Sequence, residues 1–347
     1  VNHYGNLLLS GNAGTGKTTV ALYRLLKSLE TLPEGKRLYV AYNPILVKEA
    51  KQQFNRLVGT KINEVESLFE FKTIRDLCLE ILELAGETYL ESDEINYQRF
   101  NQLYRRSERK KYPPPLVWDE IRSIIKGSYL ETNRDLLPKQ DYEKLGKKRS
   151  SVIPKGERNL IHKLADWYQK QLDQKQCFDE IDLARKAIKF LKQGKGDKYQ
   201  LIICDEVQDL TELQLHVLMQ LLSPNGQIFF AGDLNQMVSP SGFRWEDLKT
   251  KFFKGNHQAE QKTLYFNFRS VGSLTQLANQ LLKLKSRLLN ERVNQSNQVV
   301  SSYGEWARLI NASLSNLKPT LEQLYPQDAI LVRTEAEKEK LSDEFQS

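Results

Sequence analysis

Cysteine is scarce in this chain of 347 residues: there are three, Cys78, Cys177 and Cys204, widely spaced and with no C-x-x-C pair. An odd, scattered set of this kind indicates neither a disulfide framework nor a zinc site, and it predicts reduced, mostly packed thiols. Long apolar runs are missing as well. No stretch approaches the roughly 20 apolar residues needed to span a bilayer. The N-terminus shows no basic region followed by an apolar segment and a small-residue cleavage site. These absences predict a cytoplasmic setting and no membrane partner. Internal repeats and low-complexity tracts are absent too. What remains, 40% hydrophobic and 27% charged residues, is the composition of an ordinary globular protein, long enough for two or three domains with proper cores.

Charge is abundant and uneven. The formal net charge is +7. Between Asn101 and Ser150 there are 13 Lys and Arg against 7 Asp and Glu, so this stretch carries most of the excess. Its clusters are Arg105, Arg106, Arg109, Lys110 and Lys111, then Lys144, Lys147, Lys148 and Arg149. Such clusters suit a polyanion backbone, where each neutralised phosphate releases counterions; a solvated surface accounts for them equally well.

The most informative stretch is Gly11-Asn12-Ala13-Gly14-Thr15-Gly16-Lys17-Thr18, which matches the phosphate-binding pattern G-x-x-x-x-G-K-[ST] at every fixed position. Glycines let the backbone turn its N–H groups around a phosphate without side chains in the way. Lys17 would reach the β and γ phosphates and Thr18 would offer a hydroxyl to Mg²⁺. Leu7 to Leu9 supply an apolar strand before the loop. After it, Lys17 to Leu29 reads as a helix whose positive dipole end faces the same anion.

Further strands are predicted at 37–42, 71–74, 201–206, 227–231, 263–267 and 329–333, with helices at 45–57, 77–84 and 161–191. Alternation of this kind predicts an α/β fold with a parallel sheet covered on both faces. From about Gly86 to Leu160 the chain turns helical and basic. Pro113 to Pro115 form a stiff connector there, and Val117, Ile121, Ile124 and Ile125 lie on one face of a helix closed by Gly127. This reads as an inserted helical domain. The strand over 201–206 ends in Asp205 and Glu206, and in a P-loop protein such an Asp holds Mg²⁺ while the adjacent Glu polarises an attacking water.

With Glu206-Val207-Gln208-Asp209 the chain reads D-E-V-Q-D, and here it resembles the superfamily 1A helicases of the UvrD/Rep type. Gly11 to Thr18 looks like their motif I, Val40 to Ala50 like motif Ia and Thr73 to Cys78 like a weaker motif Ib. Asp205 to Asp209 is similar to motif II, Gly232 to Gln236 to motif III, and Asn267 to Ser270 to the N-Y-R-S of motif IV with Phe for Tyr. Phe178 to Leu183 resembles the segment that precedes motif II. Val117 to Gly127 and Tyr142 to Ser150 are similar to the family's inserted domain.

The resemblance implies a RecA-like P-loop NTPase sheet with an inserted helical domain and the beginning of a second RecA-like domain. The expected divisions are 1–85 and 161–262 for the first motor domain, 86–160 for the insert and 263–347 for part of the second. It implies ATP and Mg²⁺, cradled by Gly11, Ala13, Gly14, Thr15, Gly16, Lys17, Thr18 and Thr19. Thr18 and Asp205 would serve the metal and Glu206 would activate water. Gln236 would sense the γ-phosphate, Arg269 would reach it from the second domain, and Phe268 would stack on the base. Core packing is the plainer role for Phe268, and a surface ion pair for Arg269.

For the second partner, single-stranded DNA or a DNA junction, the resemblance points to Phe243-Arg244-Trp245, whose Trp stacks on a base in the family, and to Lys147, Lys148 and Arg149. The connection Val238 to Gly242 is longer than in the family, and Glu246 stands where a basic residue is common, so Trp245 as a buried aromatic stays open. The implied activity is ATP-driven movement on single-stranded DNA, 3′ to 5′. Between Val1 and Gly11 there is no room for the family's adenine-reading Gln, and its motifs V and VI do not appear before Ser347, so a truncated portion with little unwinding of its own is expected. A different class stays in view: a nucleotide-gated regulatory or defence module without processive unwinding, with protein partners or a fused nuclease domain.

Overall fold

The short apolar runs of the sequence become the strands of one sheet. The computed structural model describes every residue outside 1–4, 33, 60–64, 108–110, 130–133, 147–149, 151–154, 234–258, 290–297, 300–329, 331, 333–334 and 347. In chain order, β1 (Asn6–Gly11) leads through the Gly-rich loop to α1 (Lys17–Thr31), followed by β2 (Lys36–Ala41), α2 (Pro44–Val58), β3 (Phe69–Thr73) and α3 (Ile74–Leu84). The helical region holds α4 (Tyr97–Arg106), α5 (Pro114–Asp119), a π-helix (Glu120–Lys126), α6 (Lys139–Lys144) and α7 (Lys155–Lys175). Then come α8 (Glu180–Leu191), β4 (Tyr199–Cys204), α9 (Glu212–Gln220), β5 (Leu222–Gly232) and β6 (Ala259–Leu264). The last described elements are β7 (Phe266–Asn267), α10 (Gly272–Leu289), β8 (Gln298–Val299) and α11 (Glu335–Gln346).

Six strands form one sheet in the order β3-β2-β4-β5-β1-β6, and every pairing in it is parallel. Successive residues of a strand face opposite sides, and here both sides are apolar. Leu8, Leu38, Val40, Ile202, Cys204, Ile228 and Phe230 pack on one face against α3, α8 and α9. Leu7, Leu9, Tyr39, Ala41, Leu201, Ile203, Phe229 and Ala231 pack on the other against α1 and α2. This is the continuous apolar strand signature of a sheet buried on both faces, and it gives the α/β, RecA-like P-loop architecture that the sequence predicts. The carboxyl ends of β1 and β4 fall at the same edge, where ligands bind in open α/β sheets.

The helical region has its own core of Phe100, Tyr104, Val117, Ile121, Ile124, Ile125, Tyr142, Ile161, Leu164, Tyr168 and Leu172. Several expectations change here. The division at 160/161 falls inside α7, whose buried face continues the helical core to Leu172. The helix expected over 161–191 is two: Gln176 adopts a left-handed φ of 53°, Cys177 N–H closes on Leu172 O at 2.9 Å, and Asp179 starts α8 with a capping box. The single helix expected over 117–127 begins at Pro114, where a missing N–H costs nothing, and widens into the π-helix after Asp119.

The strand expected over 263–267 is also divided. Thr263 and Leu264 complete β6 in the six-stranded sheet, whereas Phe266 and Asn267 pair with β8, so the division at 262/263 cuts a strand. The break follows from Asn267, whose Oδ1 accepts from the backbone N–H groups of Arg269 and Ser270 and turns the chain. Of the strand expected over 329–333, Ile330 and Val332 are described, both exposed and neither in a strand; 329, 331 and 333 lie outside the described residues. All three cysteines are free thiols, Cys78 and Cys204 buried and Cys177 half-buried, and no described helix is long and apolar enough to cross a membrane.

Candidate functional site

At the edge where β1 ends, the loop turns as its glycines require. Gly14 has φ 76° and Gly16 φ 85°, a region that L side chains enter only at a cost. Thr15 Oγ1 donates to Asn12 O at 2.8 Å and braces the turn. Lys17 begins α1 and is buried, its ammonium donating to Gly11 O at 3.0 Å and Asn12 O at 3.5 Å. Ala13 and Thr19 are exposed and Thr15 is buried.

Thr18 Oγ1 donates to Asp205 Oδ2 at 2.6 Å across 187 positions of sequence. Asp205, 2% exposed, also accepts on Oδ2 from Tyr39 OH at 2.9 Å and on Oδ1 from the Glu206 backbone N–H at 3.0 Å. Burial raises its carboxyl above the ordinary value, with the charge of Glu206 adding to the rise and the Thr18 and Tyr39 hydrogen bonds opposing it. A hydroxyl and a carboxylate at hydrogen-bond distance beside a phosphate loop are the hard oxygen donors Mg²⁺ takes, so these residues fit the metal.

Glu206 is held in the left-handed region, φ 48° and ψ 47°, a conformation that a non-glycine residue keeps only where its surroundings impose it. Gln208 Nε2 donates to Glu206 Oε2 at 2.7 Å, and Gln208 Oε1 accepts from Asp233 N–H at 3.0 Å. The glutamate is thereby tied to the segment that follows β5. Asp209 is pushed up to about 6 by burial first and by the charge of Glu206 second, against the pull of Arg122.

The turn after β6 reaches the phosphate loop. Asn267 Nδ2 donates to Ala13 O at 3.1 Å and Phe268 N–H donates to Gly14 O at 2.8 Å. Phe268 is not a core residue: it is 71% exposed. Arg269 lies beside the loop, its Cβ 2.8 Å from where a side chain at Gly14 would begin. The structure therefore brings Gly11 to Thr18, Asp205, Glu206, Phe268 and Arg269 to one edge. Gln236, Phe243, Arg244, Trp245, Lys147, Lys148 and Arg149 lie outside the described residues. Arg105, Arg106 and Lys144 are exposed in the helical region.

Tyr39 was not legible as a site residue, and Gln208 and Asn267 were legible as members of the stretches similar to motifs II and IV but not by the contacts they make. The one sequence signal for Tyr39 is a hydroxyl inside a fully buried strand, which must find a partner.

A parallel sheet with a Gly-rich loop after β1 and a paired threonine and aspartate beneath it defines a P-loop nucleotide-binding protein. A family model described as UvrD/REP helicase N-terminal domain matches residues 1–251, and the chain belongs to that family. Helicases of this family use a nucleotide with a divalent metal, and their substrate is DNA. Among relatives, the chain is 24% identical over 378 aligned positions to a probable DNA helicase II homolog of Mycoplasma pneumoniae, covering 99% of this chain and 51% of that protein. It is 26% identical over 255 positions to the exonuclease/helicase subunit RexA of Lactococcus lactis subsp. cremoris, covering 65% and 20%. It is 30% identical over 192 positions to the human TPR and ankyrin repeat-containing protein 1, covering 51% and 6%. The chain thus spans at most about half the length of these relatives.

Proposed function

We propose that this chain forms the nucleotide-hydrolysing lobe of an ATP-driven DNA helicase or translocase that moves 3′ to 5′ on single-stranded DNA. The observation that carries the reading is the Thr18–Asp205 contact at 2.6 Å, which joins the phosphate loop to the acidic strand end at one point. Lys17 would bind the β and γ phosphates, Thr18 and Asp205 would hold Mg²⁺, and Glu206 would orient and deprotonate the attacking water. Held there, the metal would supply neutralisation of the charge on the phosphates. Gln236 senses the γ-phosphate, Phe268 stacks on the base, and Arg269 stabilises the charge that develops during transfer.

The helical region between α4 and α7 is the inserted DNA-binding domain, and the chain from β7 onward belongs to the second motor lobe. Phe243, Arg244, Trp245, Lys147, Lys148 and Arg149 grip the strand by stacking and phosphate contact. A nuclease partner is supported by the relative named as an exonuclease/helicase subunit.

In the full-length protein, Lys17→Ala should abolish ATP hydrolysis. Glu206→Gln should bind nucleotide normally while turnover falls by about 10² to 10⁴, the range set by loss of a general base. DNA-stimulated phosphate release surviving in both variants would refute the assignment.

A further inference from the structure

One joint at this site has no part in the roles given above. Asn267 is 4% exposed, and its side chain is used on both ends. Nδ2 donates to Ala13 O at 3.1 Å across 254 positions of sequence. Oδ1 accepts from Arg269 N–H at 3.0 Å and Ser270 N–H at 2.8 Å. The next residue adds a second strap, Phe268 N–H to Gly14 O at 2.8 Å.

The phosphate loop is shaped to receive this turn. A Cβ on Gly14 would stand 2.7 Å from Asn267 Oδ1 and 2.8 Å from Arg269 Cβ, so the glycine is needed for the close approach as well as for its φ of 76°. In a planar trans peptide the carbonyl and the following N–H point in opposite directions. Acceptors fixed at Ala13 and Gly14 therefore also fix the directions of the Gly14 and Thr15 N–H groups. The turn and the loop constrain each other.

We propose that Asn267 is a positioning residue of the nucleotide site: it locks the turn bearing Arg269 onto the Ala13–Gly14 side of the phosphate loop, so that loop and arginine are set as one unit. The proposal rests on the ATP-hydrolysing reading above. The amide suits the position because it must donate to Ala13 O and accept from the turn at once, and an ionised carboxylate of the same shape only accepts.

The test uses the full-length protein, with binding of Mg-ADP compared with Mg-ADP plus aluminium fluoride, which mimics the phosphoryl group in transfer. Asn267→Asp keeps the turn acceptor but sets a second oxygen against Ala13 O. It should weaken the aluminium fluoride complex by about tenfold, as loss of one well-placed hydrogen bond does, and leave ADP affinity within about twofold. Arg269→Ala should show the same selectivity, and the double variant should be no weaker than Arg269→Ala, because residues acting as one unit are not additive. If the Asp variant melts early, Asn267→Ala carries the same comparison.

Equal weakening of both nucleotide forms, no change in either, selectivity in the Asn267 variant without selectivity in Arg269→Ala, or additive losses would each overturn the proposal. Wild-type protein that binds neither form would instead remove the ATP reading of the site, and this proposal with it.

Discussion

Asp205 shows how much of a buried carboxylate's behaviour is set by the hydroxyls that bond to it. Its Oδ2 takes hydrogen bonds from Thr18 and from Tyr39, and these oppose the rise that burial imposes. Tyr39→Phe removes one of the two donors and leaves the ring in the core. A hydrogen bond to a charged group is worth about 1.5 to 3 kcal/mol, so the variant should lose about 2 kcal/mol in urea unfolding at neutral pH. Its Asp205 should ionise at a still higher pH, which weakens Mg²⁺-dependent nucleotide binding first in mildly acid buffer. Asp209 gives a second test at this scale. Its carboxyl sits at about 6 in the fold against an ordinary 3.8, so between those pH values the folded chain holds a proton that the unfolded chain has lost. Stability from this group therefore falls as pH rises through the window. Asp209→Asn should remove that slope: its melting temperature relative to wild type should be higher at pH 7.5 than at pH 4.5. At this scale the sequence marks residues whose spacing is itself the signal, Gly11 to Thr18 and Asp205–Glu206. It cannot mark Tyr39, whose partner lies 166 positions away, and it marks Asn267 by resemblance without its contact 254 positions away.

Among the elements, the π-helix Glu120–Lys126 is the one that departs furthest from its pattern. The spacing of Val117, Ile121, Ile124 and Ile125 is helical, but it gives no hint that Glu120, Arg122 and Lys126 beside them are buried as well. Glu120 and Lys126 are 0% exposed. Glu120 accepts from Tyr142 OH at 2.6 Å and Ser150 Oγ at 2.9 Å. Lys126 donates to Asp179 at 2.7 Å and reaches Asp182 at 2.8 Å, while Asp179 also caps the first turn of α8. One turn earlier Arg122 pairs with Glu180 and lies 4.9 Å over the Tyr42 ring, just past β2. Gly127 O accepts from Leu213 N–H at 2.8 Å. These contacts fasten the helical insert to the ends of β2, α8 and α9, all of which border the nucleotide edge. Breaking a buried ion pair leaves its partner charged and desolvated, which costs about 3 to 5 kcal/mol. Lys126→Met, similar in volume, should therefore destabilise the protein by that amount in denaturant unfolding, whereas Lys139→Met, on the exposed side of α6, should change it by less than about 0.5 kcal/mol.

Over the whole molecule, the sheet was legible because both faces of its strands β1, β2, β4 and β5 are buried, which gives each of them an apolar run, whereas β6, Ala259–Leu264, is mostly polar and was legible only at its end. The divisions between domains were not, because α7 and β6 belong to neighbouring units by packing while nothing in their composition changes at 160 or 262. Charge is the property that most clearly exceeds any one element. The excess of 13 basic over 7 acidic residues in 101–150 is concentrated in the helical insert, and Arg105, Arg106 and Lys144 are exposed there. Exposed arginines and lysines held on a separate core can meet a phosphate backbone without disturbing the nucleotide edge. Binding of single-stranded DNA should then be strongly salt-dependent, with log K falling against log salt by about 0.7 per phosphate neutralised. Replacing Lys147, Lys148 and Arg149 together by Ala should reduce that slope by about 2 if all three contact phosphate. It should weaken binding similarly on oligonucleotides of different sequence, since phosphate contacts carry no base information. The measurement is a fluorescence anisotropy titration from 50 to 200 mM salt, the range over which about six to ten such contacts cost 10³ to 10⁵ in affinity. An unchanged slope in the triple variant would show that these three charges make no phosphate contact, and would leave the contact to other basic residues of the insert such as Arg105 and Arg106.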